Sequence, residues 1–203
     1  GVAILLALFE ALDIEQMDVA SGALREGLMY DLLGRIRHED VRIRTIQMLQ
    51  ERYHVGRRQA SRVERNALAF LKQAAPGWGV APVEAGRFLT WAARLHEIGL
   101  AVSYHHHHRH GAYLIANSDL PGFSQGDQAL LAAIVGGHRR KIEASLLDFV
   151  PADQRDVAKR LLAILRLAVL TNRERGPHPV PPVRMEGRAD GLVLHGATAW
   201  LSR

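Results

Sequence analysis

The order of apolar and polar positions predicts a chain made mainly of helices. From residue 39 onward, apolar residues recur every three or four positions, the spacing that places them on one face of an α-helix. Helices are predicted at residues 41–52, 60–74 and 82–98, with a Pro-Gly-Trp-Gly loop at residues 76–79 and a stop at Gly99. The fold class that this pattern predicts is mainly α, a helical bundle.

Later helices complete the predicted bundle. They lie at residues 113–115, after Ser124, around residues 142–147 and at residues 155–173. Ser124 can cap its helix together with Asp127 at the third helical position. Residues 161–170 are apolar nearly all round, so the helix that contains them is predicted to be the central buried one.

The start of the chain departs from this pattern. Residues 2–12 and 23–33 each predict a helix, and residues 16–19 predict one short strand between them. A single strand cannot form a sheet. We therefore expect residues 1–34 to be the edge of a larger α/β domain, and the chain to be a fragment of a longer protein.

The end of the chain predicts a separate small piece. Residues 176–182 form a proline-rich, extended linker. Residues 183–186 and 192–195 alternate between apolar and polar positions as a β-hairpin does, and a hairpin of this size is not stable alone. The sequence is thus divided into residues 1–34, 35–175 and 176–203.

Composition narrows the class of protein. The 203 residues include no Cys, which excludes a disulfide framework and a thiol nucleophile and fits a reducing, cytoplasmic location. The apolar run at residues 2–9 is too short to span a bilayer, so no membrane association is expected.

The net charge is +5, and 23 of the 26 Lys and Arg residues are Arg. Residues 1–34 have a net charge of −5, so the remaining residues have +10 and are expected to bind a polyanion.

His96 and Glu97 form the most informative pair. His96 continues the apolar face of its predicted helix, so a buried imidazole beside a carboxylate is expected. The order of such groups along the chain resembles the histidine-aspartate metal phosphohydrolases. Three positions depart from the pattern of that class. Gln59 replaces a His, Glu97 replaces an Asp and Val169 replaces the last Asp. We expect a retained fold without a metal, with four degenerate metal-site positions: His96, Glu97, His110 and His138.

Residues 105–108 are four consecutive histidines, followed by Arg109 and His110. Consecutive histidines in a flexible loop bind Ni²⁺ or Zn²⁺ opportunistically, without a fixed geometry. A solvated loop is predicted for residues 105–107. His110 begins an apolar helical stretch and is expected to tuck towards His96.

Basic side chains around the pair indicate an anionic ligand. Guanidinium groups bind phosphate oxygens two at a time, so a phosphate chain would fit a groove lined by them. The candidate phosphate-chain residues are Arg62, Arg109, Arg139, Arg140 and Lys141. The alternative to phosphate binding, for most of the arginines, is a solvated charge on the face of a helix. Nucleic acid is disfavoured as a partner, because the twelve aromatic residues are not interleaved with the arginines.

Several motifs, in the same order along the chain, resemble the C-terminal half of the exopolyphosphatase / guanosine pentaphosphate phosphohydrolase family. The most specific are residues 113–123, of sequence YLIANSDLPGF, and residues 138–141, of sequence HRRK. Residues 23–33, 95–99 and 108–110 also match. The resemblance covers nearly the whole chain.

The resemblance implies a division of labour within a longer protein. Family members have two N-terminal actin-like domains with a catalytic glutamate and Mg²⁺, where water attacks the terminal phosphate of polyphosphate or pppGpp. Their helical part is of the histidine-aspartate type, extends a basic path for the polymer and contributes to a homodimer. Residues 1–34 would be the edge of the second actin-like domain, and residues 176–203 would begin a small α/β piece. No catalytic residue and no cofactor is then expected in this chain, and Mg²⁺ is expected for the parent.

Three functions therefore compete. The preferred one is a catalytically silent part that guides the phosphate chain of a hydrolase acting on polyphosphate, pppGpp or both. The second is an active metal-dependent phosphohydrolase of the histidine-aspartate type. The third is a purely structural dimerisation module.

Overall fold

The structure is a computed structural model that describes residues 2–17, 41–175, 183–189 and 191–196. The chain divides into two compact units, Gly1–His38 and Glu39–Arg203. In the first unit, helix α1 (Val2–Leu12) has the predicted bounds, and most of its apolar side chains are exposed. The predicted helix at residues 23–33 and the second half of the predicted strand at residues 16–19 lie outside the described residues, and Gln16 and Met17 are not in a strand.

The second unit is a helical bundle followed by a β-hairpin. Its described elements are α2 (Val41–Arg52), α3 (Arg57–Trp78), α4 (Pro82–Leu95), α5 (His107–Ala116), α6 (Gln125–Gly137), α7 (Arg155–Thr171), β1 (Arg184–Arg188) and β2 (Gly191–His195). Short 3-10 helices lie at Ile98–Ala101, Ala144–Leu147 and Ala152–Gln154. The prediction of a mainly α chain with a small C-terminal hairpin is confirmed. The helix predicted around residues 142–147 is a 3-10 turn.

Helix α7 is the centre of the bundle, as predicted. It packs against α3, α4 and α6, and Leu161, Ile164 and Leu165 are fully buried. Each such side chain contributes about 1.5–3 kcal/mol of transfer free energy. Leu170 is 51% exposed, so the apolar stretch is buried on one face rather than all round.

Two predicted helix ends are wrong. Helix α3 continues through residues 76–78 although Pro76 has no N–H to donate within it, and Gly79 (φ +62°) adopts the left-handed conformation that ends the helix. Helix α4 ends at Leu95, three residues before the predicted end. The chain then turns sharply, because Gly99 packs directly on α5: a Cβ at Gly99 would lie 1.9 Å from the carbonyl oxygen of His107.

The start of α6 and the hairpin agree with the sequence prediction. Ser124 and Asp127 form a reciprocal capping box at the start of α6. Strands β1 and β2 pair antiparallel, and the hairpin rests on α3, where the Trp78 Nε1–H donates to the Gly191 carbonyl at 2.9 Å. Packing on a helix supplies the burial that a lone hairpin lacks. The predicted linker at residues 176–182 lies outside the described residues.

None of the helices in the described ranges combines the length and the apolar character that crossing a bilayer requires.

Candidate functional site

The candidate site begins at the turn between α4 and the first 3-10 helix, where the histidine-carboxylate pair lies. His96 is 1% exposed and Glu97 8% exposed, so the pair is buried as predicted. The Nδ1–H of His96 donates to the Ala93 carbonyl at 2.7 Å, which leaves Nε2 as the nitrogen with the lone pair. Arg175 donates to the Glu97 carboxylate. The carboxylate is therefore held by an arginine from beyond the end of α7.

Four buried histidines meet beside this turn: His96, His107, His108 and His138, which we call the histidine cluster. His138, at the end of α6, is its centre. The ring centre of His138 lies 5.6 Å from that of His96, 5.5 Å from that of His107 and 6.1 Å from that of His108. The Nδ1–H of His138 donates to the Val135 carbonyl at 2.6 Å, so its lone pair is also on Nε2. Within the described ranges, His138 Nε2 and His108 Nδ1 are buried without a hydrogen-bond partner.

The membership of the cluster differs from the sequence prediction. Helix α5 begins at His107 and turns His107 and His108 inward, to 6% and 4% exposure, so the predicted solvated loop is wrong at His107. His105 and His106 are exposed, as predicted. His110 is only half-buried, and among the described residues the α5 rings that approach His138 are those of His107 and His108.

Burial keeps the histidine cluster uncharged at neutral pH. Loss of solvation lowers the pKa of His96 to about 4. The pKa of His108 is also lowered to about 4, by burial and then by repulsion from His107 and nearby arginines. Burial lowers the pKa of His138 well below its usual value, with a further contribution from His96, and it lowers the pKa of His107. The cluster therefore presents neutral imidazoles with free lone pairs.

Gln59, which stands where the histidine-aspartate pattern has a His, acts as a structural link. It is 6% exposed, its Nε2 donates to the Asn172 carbonyl at 2.9 Å, and its Oε1 accepts from Arg62 at 2.7 Å. The Nε2 bond joins α3 to the end of α7, and Oε1 is occupied by an arginine of α3 itself. As the side chains stand in the described part of the chain, no group of three or more His, Asp or Glu residues is arranged to hold a metal ion.

The basic residues predicted to bind a phosphate chain lie in different surroundings. Arg62 is bound to Gln59, and Arg109 forms an ion pair with Glu143 in which both side chains are more than half exposed. Arg139 Nη1 lies 3.2 Å from His107 Nδ1, the ring nitrogen that also lies 3.3 Å from the Tyr104 carbonyl oxygen. Its guanidinium carbon lies 5.6 Å from the centre of the Tyr104 ring, within cation–π range. Arg139 is therefore the candidate that contacts the histidine cluster.

Arg139, Arg140 and Lys141 are three consecutive cations after α6, which we call the basic strip; Arg140 and Lys141 are exposed and Arg139 is half-buried. Arg140 has a φ of +64°, and Arg166 of α7 donates to its backbone carbonyl. Across the residues that the structure describes, no carboxylate forms an ion pair with any of the three side chains. The exposed side chains of Arg140 and Lys141 are accessible to an anion from solution.

Sequence reasoning missed three residues of this region: His107, Asn172 and Arg175. A usable signal existed for His107, because positions 107, 108 and 111 lie eight, seven and four residues before Ile115, on the buried face of α5. Asn172 and Arg175 follow the end of α7, where helical periodicity no longer predicts direction.

The fold and the site define a helical-bundle domain with a buried histidine cluster and an adjacent basic strip. The chain belongs to the Ppx/GppA phosphatase family: the family described as "Ppx/GppA phosphatase, domain III" matches residues 41–203. A relative from Pseudoalteromonas translucida (strain TAC 125), named guanosine-5'-triphosphate,3'-diphosphate pyrophosphatase, is 37% identical over 201 residues. That similarity covers 99% of this chain and 40% of the relative. The chain therefore spans less than half the length of that relative.

Proposed function

We propose that this chain is the C-terminal, substrate-guiding part of a phosphohydrolase that releases the terminal phosphate of inorganic polyphosphate, of pppGpp, or of both. In this proposal, catalysis and Mg²⁺ belong to the remainder of a longer protein, and this part contains no catalytic residue. Two copies associate as a homodimer in the cytoplasm. The family membership and the name of the Pseudoalteromonas relative support this assignment.

The observation that most supports a guiding role is the basic strip. Three consecutive cations, two of them arginines, have no carboxylate partner among the described residues; Arg140 and Lys141 are exposed, and Arg139 is half-buried against Tyr104. A chain of phosphates presents closely spaced negative charges, and arginine forks bind such oxygens in pairs. Contacts of this kind hold a polyanion without requiring a fixed register, as a guiding surface must.

The surroundings of His96 and Glu97 give less support to catalysis by the chain itself. Divalent Mg²⁺ prefers carboxylate oxygens, yet Glu97 is bound by Arg175 and Gln59 is hydrogen-bonded at both ends of its amide.

A purely structural role in dimerisation has one observation in its favour. Phe149 is 88% exposed and Tyr113 is 67% exposed, and an interface would cover such side chains.

Phosphate release tests the proposed division of labour. The purified chain is incubated with long-chain polyphosphate or with pppGpp, each with Mg²⁺, and free phosphate is measured over time. We expect no release above a protein-free background for either substrate. Release that scales with the concentration of the chain, and that is lost in Glu97→Gln, would instead assign the hydrolysis to this part of the protein.

A further inference from the structure

We propose that Tyr104 is the stacking surface for the base of a nucleotide whose phosphates bind the basic strip. This inference rests on the proposed function, because it uses the same cations. It names pppGpp, rather than inorganic polyphosphate, as the ligand that fits this surface most fully. Inorganic polyphosphate would occupy the strip without using the tyrosine.

Tyr104 is an exposed aromatic residue on a segment whose backbone is held by the fold. It lies between the first 3-10 helix and α5 and is 72% exposed. The Ser103 N–H donates to the Gly99 carbonyl at 3.2 Å, and the Tyr104 carbonyl oxygen lies 3.3 Å from His107 Nδ1. The backbone is therefore positioned on both sides of a ring that faces solvent. A ring exposed to this degree adds little apolar burial to the fold and is accessible to a ligand.

Arg139 orients this ring. Its guanidinium carbon lies 5.6 Å from the centre of the Tyr104 ring, and its Nη1 lies 3.2 Å from His107 Nδ1. The guanidinium thus lies over one face of the ring within cation–π range, and most of the remaining ring surface is accessible. A side chain that is oriented before binding loses less conformational freedom when a ligand stacks on it.

The same arginine joins the ring to the basic strip. Arg139 is the first residue of the strip, and the exposed side chains of Arg140 and Lys141 follow it directly. Arg140 has a φ of +64°, and Arg166 donates to its backbone carbonyl, so the fold also fixes the path of the strip. An aromatic surface and three cations are therefore side by side. One ligand can place a planar base on the ring and its phosphates on the strip.

This combination of groups favours a nucleotide over a bare phosphate chain. Bases stack on tyrosine rings and on guanidinium planes, whereas phosphate oxygens bind arginine forks. A chain of phosphates has no planar apolar group, so it would leave the Tyr104 ring uncovered. Stacking accepts any base, because every base has an aromatic face. The surface therefore selects nucleotides as a class, and pppGpp is the member that the proposed function supplies.

Binding of two ligands with the same number of phosphates tests the role of the ring. pppGpp and linear inorganic pentaphosphate are titrated calorimetrically, at one KCl concentration, into the wild-type chain and three variants: Tyr104→Ala, Tyr104→Phe and Tyr113→Ala. Tyr104→Ala should weaken pppGpp binding about 5–150-fold, the range that base–aromatic stacking contributes, and leave the affinity for pentaphosphate unchanged. Tyr104→Phe should retain wild-type binding of pppGpp, because it keeps the ring. Tyr113, which is 67% exposed, is the matched control, and Tyr113→Ala should bind both ligands as the wild type does.

A spectroscopic measurement on the wild-type chain tests the same contact without a substitution. In the complex with pppGpp, we expect nuclear Overhauser effects between the guanine H8 proton and the ring protons of Tyr104. Their absence in a saturated complex, an unchanged pppGpp affinity in Tyr104→Ala, or an equal loss for both ligands would overturn the stacking role. The guiding role of the strip would survive each of these results, because pentaphosphate would still bind the wild-type chain. A wild-type chain that binds neither ligand would overturn the proposed function together with this inference.

Discussion

Arg175 donates a hydrogen bond to the carboxylate of Glu97, 78 residues earlier in the chain. The two partners differ in exposure, with 57% of the Arg175 side chain and 9% of the Glu97 side chain accessible. Glu97 is the position at which the resemblance to metal phosphohydrolases calls for an aspartate. The ion pair therefore occupies the carboxylate that a metal ion at this position would need as a ligand.

The two ends of this ion pair should respond unequally to substitution. Arg175→Ala leaves a buried carboxylate without its partner and should lower the free energy of unfolding by about 1–3 kcal/mol. Glu97→Gln removes the charge and should cost less. The measurement is urea denaturation of both single variants and of the double variant, with Arg188→Ala as a control in the exposed pair Arg188–Glu186. Equal losses in the two single variants would contradict this description of the pair.

The stability of the chain should fall on acidification below pH 6.5. The pKa values of His96 and His108 are about 4 in the folded chain and near 6.5 when unfolded, so between these values the unfolded chain binds more protons. Stability is then constant above pH 6.5 and falls by about 1.4 kcal/mol per pH unit for each histidine as pH drops towards 4.

Urea midpoints measured from pH 4 to pH 8, in the presence of EDTA, test this dependence. His96→Gln should reduce the slope below pH 6.5, whereas His105→Gln should leave it unchanged because His105 is exposed. A stability that is flat across this range, or that rises on acidification, would show that the cluster is not held neutral by burial.

Gly99 should tolerate no side chain. A Cβ there would lie 1.9 Å from the His107 carbonyl oxygen and 2.5 Å from the Gly111 nitrogen, both backbone atoms. Gly99→Ala should therefore separate α5 from the turn at His96 and cost more than about 3 kcal/mol, the range of severe packing strain. Gly191→Ala is the control, because a Cβ at Gly191 meets nothing within 4 Å. Equal thermal midpoints for the two variants would show that α5 is not held in this way.

The sequence predicts the helices better than it predicts the site. Periodicity locates α2, α3, α4 and α7 because each has one apolar face, and the Ser124 capping box is recognisable from two residues. Positions 107, 108 and 111 share the buried face of α5 with Ile115, but no local pattern reveals that Gly99 packs on this helix. Arg175 and Glu97 pair across 78 residues of sequence, so this contact too follows from tertiary structure alone.

Binding of long-chain polyphosphate, measured at a series of KCl concentrations, tests the central proposal most directly. We compare the wild-type chain with Arg139→Ala/Arg140→Ala and with Arg87→Ala/Arg188→Ala, which removes the same charge from two arginines paired with Glu84 and Glu186. If the basic strip holds the polymer, affinity falls steeply with salt, since each phosphate contact contributes about 0.7–0.9 to the logarithmic slope. The strip variant should then bind more weakly with a slope shallower by about 1–2, and the control should match the wild type. Equal affinity and slope in all three proteins, or no binding at low salt, would contradict the assignment of this chain as a guide for phosphate polymers.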